Sequence, residues 1–80
     1  MIEPVYVIKD ELSGKFSLYG TFVNKAVAER AFKVTCNADG MPTTDLMLYE
    51  SGSFDHDTGV FDGYAAPLFV MRGEKVEVEN

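Results

Sequence analysis

The residue types that most often carry catalysis are scarce in this sequence. His56 is the only histidine and Cys36 the only cysteine. A histidine-dependent scheme would depend on one turn residue with no evident partner, and no histidine lies near Cys36 in the sequence to activate its thiol. We therefore expect no enzymatic activity, with His56 an exposed loop residue and Cys36 a small, semi-buried apolar side chain.

Two aspartates at a spacing of two suggest a metal site at first sight. Asp55 and Asp57, followed by Gly59, resemble the start of a calcium-binding loop. The third ligand position is a glycine, however, and no glutamate stands at the closing position. Aspartate side chains also accept backbone N–H bonds in tight turns, where a glycine takes up a positive φ. The spacing therefore predicts a turn, and we expect neither a metal nor a cofactor.

The charges of the chain are acidic in sum and unevenly placed. Among 80 residues, 13 are Asp or Glu and 7 are Lys or Arg, so the formal net charge is −6. This sum argues against a protein that coats nucleic acid by bulk positive charge. Residues 38–64 contain six acidic residues and no Lys or Arg, whereas residues 15–37 contain four basic residues and one acidic residue. An anionic partner would find a favourable surface only around 15–37, although a solvated surface of mixed charge explains this stretch equally well.

Composition and length place the chain among small globular domains. Hydrophobic residues make up 46% and charged residues 25%, which is ordinary for a folded domain. One cysteine allows no internal disulfide, the apolar runs are too short to span a membrane, and the N-terminus lacks the basic region of a signal peptide. We expect a soluble intracellular domain.

Local patterns predict one helix among several strands. Asn24 is a suitable N-cap for a helix over 25–37, which would end at Asp39-Gly40 before Pro42. Its expected apolar stripe is Val27, Ala31, Val34 and Thr35, flanked by Ala28 and Phe32. The predicted strands lie at 5–8, 15–20, 45–54, from 60, and 67–71.

Together these elements predict an α+β fold. We expect an antiparallel β-sheet of four to five strands with one α-helix packed on one face. The chain would form a single small domain over 1–80, with its core at about 4–72. Its tail, 73–80, would be an edge strand or flexible.

Alternation along the strands predicts which side chains share a face of the sheet. We expect the helix to cover the face that carries Val5, Val7, Phe16, Leu18, Leu46 and Leu48. The helix-free face would then carry Tyr6, Tyr19 and Tyr49. Such a face suits the stacking of unpaired bases, at about 1–3 kcal/mol per base, or a self-complementary dimer interface. Cross-strand pairing that only stabilises the sheet is a third interpretation.

Three stretches of the chain resemble the pattern of a known family. They are the strand at 6–10, the helix segment at 24–32, and the run LYESGSFDHDTG at 48–59, which is the most specific. In this order they resemble the YxxxD, N…A.R.F and LY..G.FD..TG motifs of the small nonstructural protein of gokushovirus-type microviruses, tailless phages with single-stranded DNA genomes. The family's proline-rich stretch before the helix is replaced here, and the region before Asp45 is shortened. The resemblance implies a non-enzymatic, DNA-binding viral protein in the host bacterial cytoplasm, with a part in producing or packaging the genome.

The leading hypothesis is therefore a homo-oligomeric phage accessory protein that binds single-stranded DNA and no membrane. Its candidate nucleic-acid-binding residues are tyrosines that would stack on bases and cations that would contact phosphates: Tyr6, Tyr19, Tyr49, Lys9, Lys15, Arg30 and Lys33. The alternative is a homo-oligomeric structural or protein-interaction module, with a viral capsid or replication protein as its partner. A third hypothesis is an assembly chaperone that meets basic capsid regions through its acidic half.

Overall fold

The computed structural model describes residues 1–37 and 44–73, which form one sheet and one helix. The strands and the helix, in chain order, are β1 (Ile2–Asp10), β2 (Lys15–Thr21), α1 (Lys25–Asn37), β3 (Leu46–Asp55) and β4 (Phe61–Arg72). The strand order is β2-β1-β3-β4, and each pair of neighbours is antiparallel. The predicted α+β fold is confirmed. The fourth and fifth predicted strands are one strand, β4, and the predicted helix end at Asp39-Gly40 and the tail strand lie outside the described residues.

Helix α1 begins where the sequence predicts, but a different stripe faces the sheet. The Asn24 side chain accepts a hydrogen bond from the Val27 backbone N–H at 3.0 Å, which caps the first turn. The buried side chains of α1 lie at a spacing of four: Ala28, Phe32 and Cys36. The predicted stripe is therefore wrong at Val34 and Thr35, which are exposed, and the residues predicted to flank it, Ala28 and Phe32, are buried against the sheet instead.

β-Bulges in β2 and β3 set the alignment of β1 with its two neighbours, and the register of β4 against β3 shifts in two places. Tyr19 is the extra residue of β2, since Tyr6 lies opposite Gly20 and Val7 opposite Leu18. Ser51 is the extra residue of β3, since its neighbours Gly52 and Glu50 lie opposite consecutive residues of β1. A bulge bends the strand that contains it and changes which residues lie opposite each other beyond it. The faces of this sheet therefore follow from the observed pairs rather than from simple alternation.

On β1 and β2 the helix covers the opposite face from the one predicted, whereas on β3 it covers the predicted residues Leu46 and Leu48. Ile8 lies opposite Leu48, so the β3 leucines share a face with Tyr6 and Ile8 instead of with Val5 and Val7. The core on the helix-covered face consists of the side chains that pack together there, namely Tyr6, Ala28, Phe32, Cys36 and Leu48. The prediction of three tyrosines on one helix-free face is therefore wrong. Its cause is an error of one residue in the relative alignment of β1 and β3, which exchanges the faces of a strand.

The turn between β3 and β4 is the predicted aspartate-glycine turn. The Asp55 side chain accepts a hydrogen bond from the Asp57 backbone N–H at 2.9 Å, and the Gly59 N–H donates to the Asp55 carbonyl at 2.8 Å. Gly59 has a φ of 76°, which other residues rarely adopt. The Asp57 hydrogen bond also holds the pKa of Asp55 below its ordinary value. The prediction that this spacing builds a turn is confirmed.

Strands β3 and β4 approach each other most closely at Gly52. A Cβ atom at this position would lie 2.4 Å from the Asp62 carbonyl oxygen and 2.9 Å from the Gly63 Cα atom. Both are backbone atoms, which cannot rotate away as a side chain can. Gly52 is thus required by the contact between two strands.

We predict that Gly52→Ala lowers the free energy of unfolding by at least about 2 kcal/mol, because the two strands must separate to admit the methyl group. Gly59→Ala is the matched control, since a Cβ there meets nothing within 4 Å and adds only backbone strain. It should cost about 1 kcal/mol. Urea unfolding followed by far-ultraviolet circular dichroism measures both values. Equal losses for the two variants would contradict the close approach at Gly52.

Candidate functional site

The face of the sheet opposite α1, here called the open face, carries a row of aromatic rings. Phe16 of β2, Tyr49 of β3 and Phe69 of β4 form this row, which we call the ring platform. The Tyr49 ring centroid lies 5.3 Å from that of Phe16 and 5.6 Å from that of Phe69, at interplanar angles of 68° and 76°. The two outer rings are 48% and 58% exposed. The platform therefore presents aromatic surface to solvent on both sides of Tyr49.

Two cations lie beside the ring platform. The Lys9 Nζ atom is 5.5 Å from the centroid of the Phe16 ring, within the range of a cation–π contact. Arg72 lies opposite Met47, which in turn lies opposite Lys9, so all three share the open face. The Arg72 guanidinium donates to both carboxylate oxygens of Glu11, at 2.8 and 3.0 Å. Because the charge of Arg72 is already paired with that of Glu11, Lys9 is the more available of the two cations for an anionic ligand.

The structure divides the predicted nucleic-acid-binding residues between the two sides of the sheet. Tyr49 and Lys9 lie together on the open face. The others lie on the helix-covered side or on α1 itself: Tyr6, Tyr19, Lys15, Arg30 and Lys33. Tyr6 is fully buried, and the Tyr19 hydroxyl is hydrogen-bonded to the Thr35 hydroxyl on α1 at 2.7 Å. The predicted residues therefore do not form one surface.

Sequence reasoning missed two rings of the platform and one of its cations. Phe16 had been placed under the helix, and Phe69 and Arg72 had no predicted role. The sequence did contain one indication that Val5 and Val7 lie on the helix-free face. Glu3 and Lys9 are spaced by two from these valines, so all four residues share one face of β1. A face that carries a charge at both ends is more often the solvated one. Phe69 could not be placed this way, since its side depends on how β4 pairs with β3.

His56 has a partner that the sequence did not show. Its Nε2 atom lies 2.7 Å from a carboxylate oxygen of Glu3, at the beginning of β1. The imidazole is exposed, as predicted, and the contact joins the turn after β3 to the neighbouring strand. Cys36 is buried in the helix-covered core.

Neither a metal cluster nor a membrane-spanning helix is found among residues 1–37 and 44–73. No group of three or more His, Cys, Asp or Glu side chains in these ranges could hold a metal ion. The same residues contain no helix long and apolar enough to cross a membrane.

A family model described as phage ORF5 protein matches residues 3–76, which contain α1 and nearly all of the sheet. The chain belongs to this family. Neither the curated proteins nor the solved structures contain a match to it. The predicted relation to a phage protein is confirmed, and the narrower relation to gokushovirus-type microviruses stays a prediction.

In this member of the phage ORF5 family, a carboxylate joins two tyrosines on the helix-covered side. The Tyr6 hydroxyl donates to one oxygen of Glu50 at 3.3 Å, and the Tyr64 hydroxyl donates to the other at 2.5 Å. Burial raises the pKa of Tyr6 to about 12, and the negative charge of Glu50 adds to the shift. The hydrogen bond to Glu50 likewise raises the pKa of Tyr64. Tyr6 thus anchors the sheet beneath α1 and is not available to stack on a base.

The phenol of Tyr6 should stay neutral until the fold fails. Its pKa in the folded state lies above the ordinary value of 10.0, so the stability that it contributes is complete below about pH 10 and is lost as the pH rises toward 12. We predict that ultraviolet titration of phenolate absorbance, wild type minus Tyr6→Phe, shows an ionisation near pH 12 that coincides with unfolding. Tyr64→Phe should leave this ionisation in place, because burial is its main cause. A difference curve centred at pH 10 would contradict the buried position of Tyr6.

Proposed function

We propose that this phage ORF5 family protein is a non-enzymatic accessory protein that binds single-stranded DNA on the ring platform, in the cytoplasm of the host bacterium. The observation that carries the proposal is the row of three contacting rings across β2, β3 and β4, with Lys9 beside it. The resemblance to a DNA-binding protein of single-stranded DNA phages supports it from the sequence. A part in producing or packaging the viral genome would follow.

Stacking is the interaction that this surface supplies. Every base has a π-face, so exposed rings bind single strands with little sequence preference, at about 1–3 kcal/mol per stacked base. Phe16 and Phe69 are the half-exposed rings, and both stand nearly perpendicular to Tyr49. A base stacked on either outer ring would therefore lie beside Tyr49. In a duplex the bases already stack on each other, so the platform favours unpaired strands.

Charge contributes less than stacking on this surface. Lys9 and Arg72 are the described cations beside the platform, and Arg72 is already paired with Glu11. With at most two phosphates neutralised, the slope of log K against log salt for a single strand should be no steeper than about −1.4. The net charge of −6 further disfavours long-range attraction. Binding should be modest in strength and only mildly sensitive to salt.

Phe69→Ala should weaken binding to a labelled oligothymidylate by about 5- to 150-fold, the equivalent of one stacked base. Fluorescence anisotropy at two salt concentrations measures the affinity and its salt slope. Phe61→Ala is the matched control, because Phe61 is on the same strand and 53% exposed but lies outside the platform. It should bind DNA as wild type does. Absence of binding by the wild type, or equal losses in the two variants, would contradict the proposal.

A second candidate function is self-association through the same rings. Contiguous exposed aromatic side chains are typical of protein interfaces as well as of base-stacking surfaces. This end of the sheet also carries balanced charges, with the cations Lys9, Lys15 and Arg72 near the acids Asp10, Glu11 and Asp45. Two copies could therefore meet here without net repulsion. The protein would then act as a homo-oligomeric interaction module.

Sedimentation without DNA separates the two candidates. A self-association surface predicts that the wild type is a dimer and that Tyr49→Ala, which removes the central ring, is a monomer. A stacking surface predicts the same mass for both proteins and a loss of DNA binding in Tyr49→Ala. Circular dichroism of the variant checks that the sheet remains folded.

A further inference from the structure

The other end of the open face contains an apolar groove that shares no residue with the ring platform. The groove has a volume of about 300 Å³ and is lined by Val5, Leu18, Gly20, Thr21, Phe54, His56 and Phe61. Val5 forms its buried floor, while Leu18 and Phe61 are 76% and 53% exposed on the outer strands. This volume is at the small end of natural binding pockets, with room for one large side chain. An exposed apolar concavity of this kind favours an apolar ligand group.

Strand pairing places this groove at the acidic end of the sheet. Ile2 lies opposite Asp55, Phe54 opposite Phe61, and Val5 opposite Thr21, so the beginnings of β1 and β4 and the ends of β2 and β3 meet here. The acidic residues of these segments and of the adjoining turn are Glu3, Asp55, Asp57 and Asp62. None of the segments 1–8, 16–24 and 50–66, which surround the groove, contains Lys or Arg. The Met1 ammonium contacts the carboxylates of Asp55 and Asp57, and His56 contacts that of Glu3. The four carboxylates still outnumber the one ammonium, so the surroundings of the groove carry a net negative charge.

We propose that this groove binds an apolar anchor side chain, aromatic or leucine, carried on a basic segment of a protein partner. The apolar lining selects the anchor, and the carboxylates around it select the flanking positive charges. The proposal is independent of DNA binding, because it involves different residues at the opposite end of the sheet. The protein would then hold an anionic strand at one end and a cationic protein segment at the other.

Charge argues against the other occupants of the groove. Phosphates of a nucleic acid would meet the carboxylates of Glu3 and of the turn aspartates, and the surrounding segments offer the Met1 ammonium but no lysine or arginine. A second copy placed symmetrically on this groove would bring two such acidic ends together. Like charges across an interface weaken the binding of a partner, whereas opposite charges favour it. A basic protein segment with an apolar anchor fits both the apolar lining of the groove and the carboxylates around it.

The test uses the folded protein and fluorescently labelled peptides of the sequence Lys-Lys-Phe-Lys-Lys, Lys-Lys-Ser-Lys-Lys and Glu-Glu-Phe-Glu-Glu. We expect the first peptide to bind, measured by anisotropy, and to bind less tightly as salt is added. The second should bind at least five times more weakly, and the third should not bind. Equal binding of the first two peptides, or no binding of the first, would overturn the proposal.

Variants of the protein locate the binding site. Phe61→Ala should lower the affinity for the first peptide at least fivefold, whereas Phe69→Ala, on the same strand at the platform end, should leave it unchanged. Asp57→Asn, which removes the exposed carboxylate beside His56 in the turn, should lower the affinity about twofold at low salt, and Glu29→Gln, on α1, should not. Equal losses in Phe61→Ala and Phe69→Ala would overturn the assignment to the groove. So would self-association of the wild type that Phe61→Ala abolishes, because a second copy would then be the occupant.

The two proposals can fail separately. Loss of DNA binding in Phe69→Ala with normal peptide binding, and the reverse in Phe61→Ala, would support both. If the protein binds the peptide but no DNA, the groove proposal stands and only the proposed DNA binding is contradicted.

Discussion

One helix can cover only one face of a four-stranded sheet, and the remaining surfaces of this protein follow from that constraint. Helix α1 packs Phe32 against a face centred on Tyr6 and Leu48. Hydrophobic residues nevertheless make up 46% of the chain, and many of them lie on the other face. There Leu18 and Phe69 remain largely exposed. Contiguous apolar surface of this kind usually marks a binding site, which is why both proposals place their ligands on the open face.

The sequence predicts the local features of this fold better than the way its strands combine. Asn24 caps the helix and Gly59 closes the turn after β3, because each acts through atoms only a few residues away. Which face a strand residue occupies depends instead on pairing between distant segments. Ser51 is an extra residue in β3, and no local pattern distinguishes it from an ordinary strand serine. The β1–β2 hairpin kept its predicted grouping of side chains, whereas β3 was shifted by one residue against it.

The same limit explains what could be predicted of the candidate site. Tyr49 and Lys9 were identified from residue type, and both lie on the open face. Tyr6 was identified for the same reason, yet its ring is buried and its hydroxyl is bound to Glu50. A tyrosine tolerates both environments, because its ring packs in a core while its hydroxyl finds a polar partner. Residue type alone therefore cannot separate a core tyrosine from a stacking one.

The net charge of the chain does not show how its charges are distributed over the surface. A total of −6 argues against a protein that binds nucleic acid through a general positive field, but it does not describe any one surface. Along β1 the open face runs from Glu3, which contacts His56, to Lys9, which lies over Phe16. Because exposed charges are screened over about 8–10 Å in physiological salt, a ligand at one end is little affected by charges at the other. Two ligands of opposite charge are thus compatible with one small acidic domain.

The run 48–59 shows how one stretch of sequence serves both the fold and the open face. Leu48 fills the helix-covered core, and Gly52 permits the close approach of β4. Tyr49 and Phe54 lie on the open face, one in the ring platform and the other in the lining of the groove. Nothing in the packing of α1 requires an aromatic ring at either position, since neither belongs to the core beneath the helix. The ligands proposed for the open face would contact such rings, so Tyr49 and Phe54 are the part of this run that the two proposals assign to binding.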